Sequence, residues 1–65
     1  MNVYIVAVGE RGEGASPEAV FADRSGATKY AREAHGVELR RVARDRWMAS
    51  SNGVDQVWIL RMAVR

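Results

Sequence analysis

Apolar residues fall in blocks along this chain, and the period within each block predicts an element. Val3 to Val8 is an almost unbroken apolar run rich in β-branched side chains, which predicts a strand over Asn2 to Gly9. Alternation places Val3, Ile5 and Ala7 on one side and Tyr4, Val6 and Val8 on the other. Both sides are apolar, as in a central strand. Gly9 to Pro17 is polar and carries three glycines, which predicts a loop that Pro17 ends. Glu18 to Ala22 reads as a short second strand that closes a hairpin with the first.

At Asp23 the period becomes helical. Its carboxylate suits the free amide hydrogens of a first turn, with Ser25 as the alternative cap. Ala27, Tyr30, Ala31 and Ala34 then recur at i, i+3, i+4 and i+7, one apolar stripe. Arg24, Lys29, Arg32 and Glu33 decorate the opposite side. Gly26 costs this helix about 1 kcal/mol relative to alanine. His35 suits the negative pole, and Gly36 suits a left-handed cap.

Beyond the helix, Val37 to Trp47 reads as a third strand. Its odd positions are the more apolar and are expected to face the helix. Arg41 and Asp45 break that pattern and predict a bulge or bend. Ser50 to Gly53 predicts a turn, with Asn52-Gly53 a strong hairpin signal. Val54 to Val64 reads as the fourth strand, with Trp58, Leu60, Met62 and Val64 on one side. Val57, Ile59 and Ala63 occupy the other, interrupted by Arg61. The expected fold is α+β in the order β-β-α-β-β, a four-stranded, mainly antiparallel sheet with one helix packed on one face. Residues 1–65 form a single domain.

One alanine-lined helix covers one sheet face, yet the first and fourth strands are apolar on both. The uncovered face is expected to carry Val3, Ile5, Val57 and Ile59 as an oligomer interface. Burying ~600 Å² of apolar surface there contributes ~15 kcal/mol before the cost of association. The expected state is therefore a homo-oligomer, formed through the open sheet face or the edge of the fourth strand.

Composition strengthens that expectation. With 65 residues and no cysteine, the chain has neither a large core nor a disulfide, nor a thiolate zinc site. A single histidine excludes a histidine cluster. Self-association is the remaining means of stabilising so small a core. No apolar run approaches the ~18–20 residues of a membrane span, so no membrane partner is expected. The N-terminus lacks a basic segment and a small-residue cleavage site, which reads as no signal peptide and a cytoplasmic location.

The net charge is only +2, but it is unevenly spread. Residues 1–22 hold one arginine against three glutamates, whereas residues 23–65 hold nine basic side chains against five acidic ones. Arg40, Arg44 and Arg46 share one face of the predicted third strand, with Trp47 at its end. Such a stripe has the chemistry to hold a phosphate backbone and stack a base, which makes nucleic-acid binding the alternative function. Glu38, Asp45 and the low net charge weigh against it.

Other motifs carry less. Gly9, Gly12 and Gly14 follow a strand, but their spacing matches neither dinucleotide nor P-loop patterns, and Glu10 and Glu13 repel phosphate. Glu10, Glu13 and Glu18 lack regular metal-ligand spacing. His35, the sole imidazole, stands about three helical turns from Ser25 and on another face, so no triad forms. No enzyme, no cofactor and no metal is expected.

Val20, Phe21, Asp23 and Arg24, followed by Ala27, Tyr30 and Ala31, form a V-F-x-D-R and A-x-x-Y-A pattern. Residues 3–34 thereby resemble small uncharacterised bacterial and phage proteins of ββαββ type. Gly26 departs from the helix formers expected at its position. The resemblance implies a compact unit without catalytic residues, and a phage accessory protein that blocks a host-defence component as one role. The sequence thus points to a small, self-associating, non-enzymatic protein-binding module with an unidentified protein partner.

Overall fold

The computed structural model describes residues 1–10, 13–51 and 55–64. Six elements follow in order: β1 (Asn2–Glu10), β2 (Ser16–Phe21), α1 (Arg24–His35), β3 (Arg40–Ala43), β4 (Arg46–Ser51) and β5 (Asp55–Ala63). The strands form one five-stranded sheet in the order β2-β1-β5-β4-β3, and every neighbouring pair is antiparallel. The helix packs on one face, giving an α+β fold of helix on antiparallel sheet.

The difference from the expected four strands lies in residues 37–47. That stretch is not one strand. Val37 and Leu39 belong to the connection leaving the helix, and they pack against the core from it. Arg40–Ala43 and Arg46–Ser51 are then the two arms of a hairpin that turns at Arg44-Asp45. Arg41 and Asp45, which break the alternation, hold this turn in place of glycine or asparagine. The Arg41 guanidinium donates to the carbonyls of Ala43 (3.3 Å) and Arg44 (2.9 Å). The Asp45 carboxylate accepts from Arg61 Nε at 2.8 Å, and its carbonyl accepts from the Arg61 amide at 2.9 Å. Ser50 and Ser51 continue β4, and the Asn52-Gly53 turn lies outside the described residues.

The helix matches its predicted limits. Asp23 is extended (φ −138°, ψ 160°), and its Oδ1 accepts from the Gly26 amide at 2.8 Å and the Ser25 hydroxyl at 2.9 Å. Those bonds hold the Asp23 carboxyl below its ordinary pKa, the amide bond contributing most. Gly36 closes the helix at φ 66°, a left-handed conformation that an L side chain disfavours. Ala27 and Ala31 are fully buried against the sheet, whereas Ala34 is exposed and lies outside the packed stripe.

Beneath the helix, Val6, Val57 and Ile59 are the largest fully buried side chains of the core among the described residues, which Val37 and Trp47 join. Pairing fixes the phase of every strand. Val6 stands opposite Ile59 and Ala19, Val8 opposite Val57, and Trp47 opposite Ile59. The opposite phase, Ile5 opposite Val20 and Leu60, then faces away from the helix. Val57 and Ile59, expected on the uncovered face, therefore lie on the helix side, 0% and 1% exposed. The predicted fourth strand is β5, which pairs on both sides with β1 and β4 and has no free edge.

Candidate interaction surface

The face turned away from the helix is the most conspicuous functional candidate. Across its middle run Val3, Ile5 and Ala7 from β1 and Trp58, Leu60 and Met62 from β5. Val20 on β2 and Met48 on β4 extend the apolar area to either side. Val20 is 60% exposed and Met62 52%, while Ile5, Trp58, Leu60 and Met48 are half-buried by their neighbours alone. Isolated apolar side chains on a surface are ordinary, but a contiguous apolar sheet face is not.

Of the four expected interface residues, Val3 and Ile5 lie on this face, and Val57 and Ile59 do not. Trp58, Leu60 and Met62 replace them. The one-residue exchange reverses the face because a strand's side-chain period is two.

The β1–β2 loop reaches over one end of the same face. A Cβ added to Gly9 would lie 1.8 Å from the Gly14 carbonyl oxygen, so the loop backbone crosses directly over that glycine. Ala7, between Pro17 and Trp58 on the same face, is only 3% exposed. Gly14 and Ala15 also border a hollow of about 260 Å³ whose other walls are Arg46, Gln56, Trp58 and Leu60. The hollow gives an otherwise flat face a socket for one side chain.

Charge on this face is of one sign among the described residues. Arg46 pairs with Leu60 and Arg40 with Met48, which puts both guanidiniums along the β3–β4 margin. No acidic strand position shares that phase. The sequence-predicted stripe is thus divided: Arg40 and Arg46 lie on the open face, Arg44 lies in the hairpin turn, and Trp47 lies on the helix side, 8% exposed. Trp47 is unavailable for stacking a base beside those arginines; Trp58 is the aromatic residue nearest them on their own face.

The two edges of the sheet are blunted. β3 is four residues long, carries two arginines and is irregular between Arg41 and Ala43. β2 contains Pro17 and shifts register opposite Val6 and Ala7. Short, charged or bulged edges resist strand addition.

On the opposite side of the molecule, Glu18 joins β2 to the end of the helix. Its Oε2 lies 2.6 Å from His35 Nε2 and accepts from the Tyr30 hydroxyl at 2.9 Å. The His35 bond foremost, and then the Tyr30 bond, hold the Glu18 carboxyl below its ordinary value, and the bond to Glu18 raises the Tyr30 phenol above its own. The expected role of His35 at the helix pole thus gains a specific carboxylate partner. Glu18 is committed here and stands apart from Glu10, at the end of β1, and from Glu13 in the loop that follows. Among the described residues no three acidic, histidine or cysteine side chains gather as a metal site, and no helix is long and apolar enough to cross a membrane.

Much of this surface was written in the sequence as two apolar phases on β5, but the phase itself was not. The socket beside Trp58 had no signal, because it depends on a loop crossing Gly9. The chain matches no protein-family model, no curated protein and no solved structure.

Proposed function

We propose that this chain is a small non-enzymatic interaction module that self-associates through its open sheet face, with a second copy of itself as the occupant. The observation that carries the reading is the contiguous apolar surface from Val20 through Ile5 and Leu60 to Met48, on a face that no helix covers among the described residues.

Size supports a second copy. Five strands ~4.8 Å apart, the longest running ~30 Å, make a face of roughly 600 Å² in projection. A stable dimer covers ~800 Å² of each partner, and the whole chain exposes 4596 Å². Face and loop margin together are of the area a two-fold dimer needs. A two-fold axis along the strands lays the β3 margin of one copy over the β1–β2 loop of the other. Arg40 then meets the loop that carries Glu13, and the socket beside Trp58 receives an apolar side chain of the partner. The core supports it too: three of its eight buried side chains are alanines, and cores of this size supply only ~3–5 kcal/mol.

The non-enzymatic part of the reading is supported by the engagement of the few reactive groups. His35 is held by Glu18, and Ser25 donates to Asp23 within the helix cap. An accessory role by contact, which the V-F-x-D-R and A-x-x-Y-A pattern implies, belongs to the same proposal.

Light scattering on a size-exclusion column tests the assignment with two variants. Wild type is expected to elute as a dimer at micromolar concentration. Leu60→Glu, able to pair with Arg46 on its own chain, is expected to keep the far-ultraviolet dichroism of wild type and elute as a monomer, and so is Met62→Lys. Dimers in both variants overturn the face assignment. A monomeric wild type that instead binds single-stranded oligonucleotide, with loss of binding in Arg40→Gln/Arg46→Gln, makes the face a nucleic-acid platform and defeats the proposal.

A further inference from the structure

A second concavity lies on the helix side, and self-association plays no part in it. The helix rests on β2, β1 and β5. Beyond its N-terminal half, a cleft of about 580 Å³ opens toward β4. Tyr4 and Trp47 line its base, with ring centres 6.2 Å apart. Four cations surround them: Arg24, Lys29 and Arg32 from the helix and Arg61 from β5.

The pairing of those cations is uneven. Arg32 is held by Glu38, with Nε to Oε1 at 2.7 Å, and Arg61 by Asp45. Arg24 and Lys29 have no carboxylate within ion-pair distance among the described residues. The Arg24 guanidinium lies over the Trp47 ring at 5.3 Å. Asp23 caps the helix, but the first helical turn contains no acidic side chain and begins with the cation Arg24, near the positive pole. Arg24 and Lys29, unpaired on the rim of one cleft, repel each other. An anion in the cleft compensates these two, with the carboxylate-paired Arg32 and Arg61 beside it.

We propose that this cleft binds the phosphate group of a small phosphorylated ligand, through Arg24 and Lys29, with Arg32 and Arg61 flanking. Arginine offers a planar fork to phosphate oxygens and lysine a point charge. Glu38 beside Arg32 and Asp45 beside Arg61 end the positive region on two sides. A bounded basic area suits a compact anion better than the long track of a nucleic-acid backbone. The cation over Trp47 also fills the position a stacking base would take, so recognition centres on the phosphate.

Calorimetric titration with inorganic pyrophosphate at low ionic strength tests this, with amide and indole chemical shifts as the map. Wild type is expected to bind, with the largest shifts at residues 24–29 and the Trp47 indole. Arg24→Gln/Lys29→Gln, both side chains being exposed, is expected to fold as wild type and bind at least about tenfold more weakly. Arg40→Gln/Arg46→Gln is expected to bind as wild type. A short oligothymidylate is expected to bind no tighter than pyrophosphate. No binding at millimolar pyrophosphate overturns the site, as does equal weakening in both variants, which marks diffuse attraction. Markedly tighter binding of the oligonucleotide overturns the assignment to a small ligand.

Discussion

The two faces of this sheet are made by the same strands and are both apolar, yet they do different work. On the helix side, Val6, Val57 and Ile59 are sealed by Ala27 and Ala31, whose small side chains let the helix approach closely. On the other side, Ile5, Trp58, Leu60 and Met62 are larger on average and have no lid beyond the β1–β2 loop at one end. Small branched residues sit where a narrow gap must be filled. Bulky, adaptable ones sit where a partner's surface has to be met. In a chain of 65 residues, one face is sealed by the helix and the other stays open, the face through which we propose self-association.

Adjacent residues of β5 separate these roles most sharply. Ile59→Ala removes the largest fully buried side chain, and such truncations cost about 2–5 kcal/mol. With a core of this size that is most of the stability, so the variant is expected to be largely unfolded by circular dichroism at 25 °C. Leu60→Glu, one residue on, is expected to keep its dichroism and lose its partner, weakening dimerisation by about 100-fold or more. If Leu60→Glu unfolds the chain as Ile59→Ala does, the two faces are not distinct.

A smaller effect tests the loop. Gly9→Ala places a methyl group into the Gly14 carbonyl and forces the loop off the open face. A destabilisation of about 1–3 kcal/mol is expected from a urea melt. Faster amide exchange at residues 13–15 is expected to accompany it. An unchanged midpoint would mean the loop does not rest there.

The smallest effect concerns the tie between β2 and the helix. Glu18 is held below the ordinary glutamate value of 4.5 by His35 and Tyr30, so its stabilising bonds are present above that value. They are lost as pH falls through the lowered value, when the carboxyl protonates. Thermal melts are therefore expected to place wild type above Glu18→Gln at pH 7, with the gap closing in acid as pH falls through the lowered Glu18 value. Asp23 is lowered in both proteins, so the difference isolates Glu18. A gap that persists in acid would assign the effect to packing instead.

Local chemistry made half of this fold readable in advance. Asp23 and Gly36 announce the helix ends because capping needs few residues and no distant partner. β1 and its hairpin with β2 follow from an apolar run, a glycine-bearing loop and a proline. The β3–β4 hairpin was hidden because its turn carries no glycine or asparagine. It is held by Arg41 and by the pairing of Asp45 with Arg61, 16 residues away. The broken alternation at Arg41 and Asp45 marked the place but not its nature. β5 was ambiguous for a different reason: apolar on both faces, it acquires a phase only from its register with Val6 and Trp47. That register decides which residues are core and which are surface. The basic cleft, likewise, joins Arg24, Lys29 and Arg61 only through tertiary structure.

The apolar open face is most directly tested by sedimentation equilibrium of the unmodified protein across a wide concentration range. A mass rising to twice the 7.2 kDa of one chain is expected at micromolar concentration. A mass of 7.2 kDa throughout, up to millimolar protein, would contradict it.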